Sequence, residues 1–323
     1  MQLMQTKLVL VEGNPFTGKS TLSEYAAQQL RLNGHAVEWV PEGVMLDKYF
    51  PHVLAVLDEE QSVSEETLWA EWSAFVQTVT SAPATFVIDA AISYAAVYPL
   101  LAEDRPHAAI LDMATRVAEL CAPLHPRVIH LTGDQGRIAR ASIVERGEKW
   151  QKQLIDQSDA APYQKARGRS GVEGAIIFLH ETQELMDVVL EAGGWQTLTL
   201  DVTSSDWETN RRAMLSFLGI NEVQVDPPAL AAALQAYTGT YAPEDPDATV
   251  GTGPIGTLEV RIEQDRLVLH QPGMRLGPLV PVSATRLHLM STPIDVEFVV
   301  EEGMVRRLVI LRSSGQALAF RRV

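Results

Sequence analysis

From Leu8 to about residue 222, short apolar runs alternate with longer stretches in which apolar residues recur every three or four positions. That alternation predicts strands and helices in turn, and so a parallel sheet wrapped by helices. Residues 8–11 have the unbroken hydrophobicity of a strand buried on both faces. Residues 35–40 (HAVEWV), 85–90 (TFVIDA), 127–133 (RVIHLTG) and 195–202 (WQTLTLDV) predict four further strands. Helical spacing fills the gaps. Leu22, Ala26 and Leu30 share a face, as do Leu68, Trp72, Phe75 and Val79 in 65–80. Ile110, Met113, Val117 and Leu120 do so in 110–120, and Leu185, Val188 and Val189 in 182–191. Aromatics at such spacing, here Trp69, Trp72 and Phe75, belong to a core before they belong to a ligand.

The pattern changes near Asn221. Pro227-Pro228 can continue neither a helix nor a central strand. Residues 223–228 therefore read as a linker between a first domain, 1–222, and a second, 229–323. A short helix is expected over 229–237. From Thr238 onward only brief alternating runs remain, broken by turn residues. GTLEVRIEQDRLVLHQPG predicts a hairpin through Gln264-Asp265, and residues 295–323 predict three strands turning at Glu302-Gly303 and Ser314-Gly315. This is an all-β module of about 85 residues, an antiparallel sheet curved toward a small barrel. The expected fold class is α/β, a P-loop NTPase-type parallel sheet flanked by helices, plus a C-terminal barrel-like domain.

Composition narrows the partners. A net charge of −15 in 323 residues disfavours nucleic acid and anionic membrane surfaces. No apolar run approaches the roughly 20 residues that span a bilayer. MQLMQTK lacks the form of a signal peptide, because its apolar continuation is already the first strand. The single cysteine, Cys121, lies in an apolar helical pattern and fits a buried thiol in a reducing cytoplasm. The eight histidines show no spacing suited to zinc.

Candidate chemistry concentrates after the first strand. Gly13-Asn14-Pro15-Phe16-Thr17-Gly18-Lys19-Ser20, followed by Thr21, fits G-x-x-x-x-G-K-[ST] between a strand and a helix. Gly13 and Gly18 allow a tight turn whose N–H groups face a triphosphate, with the dipole of the following helix behind them. Lys19 reaches the β/γ-phosphates and the Ser20 hydroxyl ligates Mg²⁺. Glu42 ends the second strand, where a carboxylate can accept the proton of a substrate hydroxyl. Asp89 ends the third, at the Walker-B position, where a buried carboxylate is costly unless it serves a metal. Arg137, Arg140 and Arg146 follow the fourth strand and can neutralise a transferring phosphate. The basic stretch to Arg169 has few hydrophobic anchors and the composition of a mobile lid, open without ligand and closing over the triphosphate.

VEGNPFTGKST resembles the phosphate loop of the deoxyribonucleoside kinases and related nucleotide kinases. The resemblance spans roughly residues 6–200. It implies that Glu42 is the base after strand two, that Asp89 stands at the acidic position after strand three, and that the run ending at Arg146-Gly147 is the lid. The chain departs from that pattern at Ala90-Ala91, where the family has an arginine after the acid. The C-terminal module is weakly similar to small β domains appended to some serine hydrolases.

The expectation is a cytoplasmic kinase using ATP and Mg²⁺, with a small-molecule acceptor such as a nucleoside or nucleotide. Two alternatives stand beside it: modification of a foreign compound such as an antibiotic, and an NTP-binding switch whose β domain binds a partner or ligand. An N-K-x-D base-reading motif and an L-S-G-G-Q signature are both absent from the sequence.

Overall fold

A computed structural model describes the chain apart from residues 1–5, 58–61, 205, 224–229, 231–232, 246–248, 251–252, 255, 264, 291, 293, 302–303 and 313–315. The expected turns at Pro227-Pro228, Glu302-Gly303 and Ser314-Gly315, and Gln264 of the expected hairpin, lie outside the described residues. Two compact units form. One joins Met1–Ser142 to Gln151–Gln224, the other joins Ile143–Trp150 to Val225–Val323.

In the first unit the chain runs β1 (Leu8–Gly13), α1 (Lys19–Leu32), β2 (Val37–Val40), α2 (Glu42–Tyr49), α3 (Pro51–Leu57), α4 (Glu65–Ser81) and β3 (Thr85–Asp89). One π-helical turn, Ser93–Val97, then leads into α5 (Tyr98–Ala102), α6 (His107–Cys121) and β4 (Arg127–Thr132). Next come α7 (Gln135–Arg146), α8 (Glu148–Ala160), α9 (Pro162–Ala166), α10 (Gly171–Ala192), β5 (Gln196–Asp201) and α11 (Trp207–Leu218). The end of α7 and the start of α8 belong to the second unit.

The five strands are parallel and ordered β2-β3-β1-β4-β5. Every residue of β1 is buried, as its continuous hydrophobicity requires. Alternate residues feed two cores. Leu8 and Leu10 join Phe86, Ile88, Trp72, Phe75 and the helices after β3. Val9 and Val11 join Leu22, Ala26 and Leu30 of α1 with Met214 and Leu215 of α11. The chain thus leaves β1 over one face and the adjacent β3 over the other. Diverging connections of this kind open a crevice at the carboxyl ends of the two strands. The phosphate-loop sequence sits at that end of β1.

Trp72 and Phe75 are fully buried, and Trp72 packs edge-on with both Phe75 and Phe50, its indole donating to the Ala95 carbonyl at 2.8 Å. They are core, as helical spacing suggests. Ser64 caps α4 by accepting the Thr67 N–H, and Asp206 caps α11 through the Thr209 N–H. Cys121 is buried, and burial pushes its thiol up to about 12.

The second unit is a barrel. A short helix, α12 (Leu234–Tyr237), precedes β6 (Gly239–Pro243). Two two-residue strands, β7 (Thr249–Val250) and β8 (Gly253–Pro254), pair with each other. Then come β9 (Leu258–Glu263), β10 (Arg266–Gln271), β11 (Met274–Pro281), β12 (Arg286–Leu289), β13 (Ile294–Glu301), β14 (Met304–Arg312) and β15 (Ala317–Arg322). Eight strands close antiparallel in the order β10-β11-β12-β13-β14-β15-β6-β9. Closure removes the free edges that an open sheet of this size would expose. Leu258, Val260, Leu269, Leu287, Val296, Phe298, Leu308 and Phe320 fill the core, from positions two apart along each strand. Tyr237 of α12 stacks edge-on against Phe298 at 4.9 Å and receives the Tyr241 hydroxyl on its carbonyl at 2.7 Å.

Residues Ile143–Trp150 join this unit through Glu145, which pairs with Arg275 at 2.8 Å, and through Gly147. A Cβ on Gly147 (φ +93°) would stand 2.8 Å from the Gly273 carbonyl oxygen. A division of the chain at 222 and 229 leaves this excursion in the first domain. Among the described residues no helix is long and apolar enough to cross a membrane.

Candidate functional site

The loop after β1 is held from inside. Gly13 has φ +140°, and a Cβ there would meet the Leu131 carbonyl oxygen at 2.6 Å. Gly18 has φ +85° at the amino end of α1, and its Cβ would strike the Trp207 ring at 2.4 Å. Both positions therefore require glycine. Phe16 adopts φ +77°, a conformation that side chains avoid, and its ring packs with Ala139, Ile176 and Leu179. The Asn14 carbonyl accepts the Thr17 hydroxyl at 2.8 Å and the Lys19 ammonium at 3.3 Å. The Asn14 side-chain amide donates to the Leu179 carbonyl at 2.5 Å, tying the loop to α10.

Lys19 is only 5 % exposed and faces three carboxylates. Glu42, the first residue of α2, lies 3.9 Å from its ammonium. Glu12 and Asp89 are fully buried, and the Lys19 charge acts on both. The Tyr94 ring centroid lies 5.8 Å from the ammonium. Three carboxylates less one ammonium leave two negative charges in excess when all are ionised. A triphosphate entering here would add more of the same sign.

The two buried acids are handled differently. Glu12 accepts the Ile92 N–H at 2.8 Å, the Ser93 N–H at 3.0 Å and the Ser93 hydroxyl at 2.6 Å. It therefore caps the helical segment that follows β3 and fastens it to the strand carrying the loop. Burial raises its pKa, against the pull of those bonds. Glu12→Ala should cost about 1–3 kcal/mol, because three buried donors lose their acceptor together. Urea unfolding of the variant measures the loss, and an unchanged midpoint would show that the bonds are dispensable.

Asp89 has neither oxygen hydrogen-bonded among the described residues. Burial raises its pKa. Lys19, the Ser20 hydroxyl and the Glu42 backbone N–H pull it back without supplying a full bond. A carboxylate this dry and this unpaired is expensive to keep. Its neighbour Ala90 has φ +61°, a second departure from relaxed geometry at the same point. Ala90 and Ala91 are fully buried. The acid faces Ser20, the residue the loop sequence marks as a magnesium ligand, and its spare oxygens fit a hard cation. Among the described residues no cluster of three acidic, histidine or cysteine side chains could hold a metal alone. A Mg²⁺ here would take one or two protein oxygens and fill its shell with phosphate and water.

Tyr94 and Trp207 complete the surroundings and were not evident from the sequence. Burial and the Glu42 charge push the Tyr94 phenol well up, so it stays a neutral donor beside Glu42. Glu12 carried a readable signal, an acid closing an otherwise apolar buried strand. Tyr94 carried none, since it sits on the π-helical turn.

The three arginines have different surroundings. Arg140 grips Glu173 through both carboxylate oxygens, at 2.6 and 2.8 Å. Arg146 belongs to the barrel unit, with its guanidinium 5.5 Å from the Trp150 ring centroid. Arg137 is exposed in the first turn of α7, whose start Asp134 caps through the Arg137 N–H at 2.9 Å. The basic stretch is helical and better anchored than its composition suggests. Ala161, Tyr163 and Gln164 are buried, and Arg167 and Arg169 pair with Asp104 and Glu181.

No family model matches this chain, and no curated protein matches it. Solved structures do match. One, "Crystal structure of APE1195", has a TM-score of 0.33 and 14% identity over 68% of this chain and 99% of that one, a likeness too slight to bear on function.

Proposed function

We propose that the chain is a P-loop phosphotransferase that moves the γ-phosphoryl group of ATP to the hydroxyl of a small-molecule acceptor. The observation that carries this reading is Asp89, buried with both oxygens unpartnered, beside Ser20 and Lys19 at the mouth of a glycine loop. The nucleotide kinases, which the loop sequence resembles, are its model.

The loop amides of Gly13–Ser20 and the Lys19 ammonium would hold the phosphates. Ser20 and Asp89 would hold Mg²⁺, which when bound neutralises charge on the phosphate oxygens. The acceptor oxygen forms a bond to the γ-phosphorus as the bond from that phosphorus to the β,γ-bridging oxygen breaks. ADP leaves with the electron pair, and Glu42 takes the hydroxyl proton. Its side chain is 36% exposed, so the proton can pass on to water. Tyr94 keeps that carboxylate oriented. Arg140 is already paired with Glu173, so of the two arginines at the start of α7 Arg137 is the one proposed to meet the transferring group.

Single-turnover loss of ATP, followed with and without a metabolite extract, tests the reading. ATP should persist alone and disappear with the extract, leaving a phosphorylated metabolite. Loss at the same rate in both would mean an NTPase or switch.

A further inference from the structure

A pocket opens beside the phosphate loop, lined by Asn14 on one side and by Tyr94, Tyr98, Leu154, Phe178 and Leu179 around it. Four of its polar lining side chains are already engaged, and a fifth, Gln157, is exposed. Asn14 donates to the Leu179 carbonyl, Ser93 to Glu12, and Thr182 to the Phe178 carbonyl at 2.8 Å. The Ser158 oxygen receives the Gln164 amide at 3.1 Å. What the pocket offers a ligand is therefore chiefly aromatic and aliphatic surface. None of its described lining residues is charged.

That last fact decides the ligand class. A phosphate or carboxylate brought into such walls would lose its water and gain no cation from the lining. Nearby arginines do not supply one, because Arg167 and Arg169 are held by Asp104 and Glu181. The pocket holds about 70 Å³. It is partly open, so it encloses one end of a molecule and not the whole.

Resting on the phosphotransferase reading, we infer that this pocket is the acceptor site and that it selects an uncharged alcohol with an aromatic or branched aliphatic end. Tyr98, Phe178 and Leu154 grip that end, and the hydroxyl turns past Tyr94 toward Glu42. Acceptors that already carry a phosphate are excluded.

Calorimetry on the full chain with Mg²⁺ and a non-hydrolysable ATP analogue tests this. The probes are two pairs, thymidine with its monophosphate and 2-phenylethanol with 2-phenylethyl phosphate. In at least one pair the uncharged member should bind, at least tenfold more tightly than its phosphate. Leu154→Glu and the exposed Gln157→Glu place an anion at the wall, and each should weaken that binding at least tenfold while analogue affinity stays unchanged. The inference is overturned if a phosphorylated member binds as well as its partner, if the analogue binds but no probe does, or if neither variant alters probe affinity. Failure of the analogue itself to bind would remove the phosphotransferase reading, and the acceptor assignment with it.

Discussion

Lys19→Ala should bind ATP about ten- to a hundredfold more weakly than the parent chain and unfold more readily. The affinity loss follows from removing the charge-assisted contact proposed to the β/γ-phosphates, about 1.5–3 kcal/mol, where each 1.4 kcal/mol is tenfold. The stability loss follows from what Lys19 does without nucleotide. Its ammonium closes the loop on the Asn14 carbonyl and is the charge acting on Glu12, Glu42 and Asp89. Taking it away leaves buried carboxylates without their counter-ion, a far larger penalty than losing a surface ion pair. Lys19→Arg should rescue stability better than binding, because a planar guanidinium does not reproduce a compact ammonium inside a tight loop. Titration with a fluorescent ATP analogue and a thermal melt measure the two effects. Intact ATP affinity in Lys19→Ala would remove the loop from nucleotide binding.

The same residues show what a sequence displays and what it hides. The parallel strands were legible because burial on both faces leaves an unbroken apolar run, as in β1 and β3. The first half of α10 was not. The helix was expected only over 182–191, and of the two glycines in its first turn Gly174 sits where a Cβ would press on the Arg169 backbone at 3.3 Å, so that glycine serves packing. In the barrel, β13 to β15 were readable from alternation. β11 was not, since Gly277, Pro278 and Pro281 interrupt its pattern, and β12 is only four residues long. The glycine loop and the acid at the end of β3 could be placed because each is a local signal. The partners of the arginines could not. Charge is written in the chain, but whether it is free or spent depends on Glu173, Asp104 and Glu181, residues that only the fold brings beside the arginines. The excursion of Ile143–Trp150 into the barrel unit is hidden for the same reason, since it depends on Arg275.

Asp89→Asn should move activity and stability in opposite directions. Turnover should fall about a hundredfold or more, because several kcal/mol of charge stabilisation depends on the ion this carboxylate is proposed to hold, and each ~1.4 kcal/mol is a factor of ten. Stability without ligand should rise. The parent residue is a buried carboxylate with both oxygens unpartnered, an arrangement that costs about 1–3 kcal/mol. The neutral amide keeps the shape and sheds the charge. The pH dependence carries the sign. Burial raises the Asp89 pKa in the folded protein above the ordinary 3.8, so the folded state holds its proton to higher pH than the unfolded state does. Its contribution to stability therefore declines as pH climbs from about 3.8 through the folded value, and stays low above it. The asparagine variant lacks that decline. Its advantage should be largest near neutral pH and shrink as the solution is acidified. Urea unfolding of both chains across a pH series reads this directly, with turnover measured alongside. An asparagine variant less stable than the parent at neutral pH, with turnover intact, would mean that Asp89 is a structural group and that the metal belongs elsewhere.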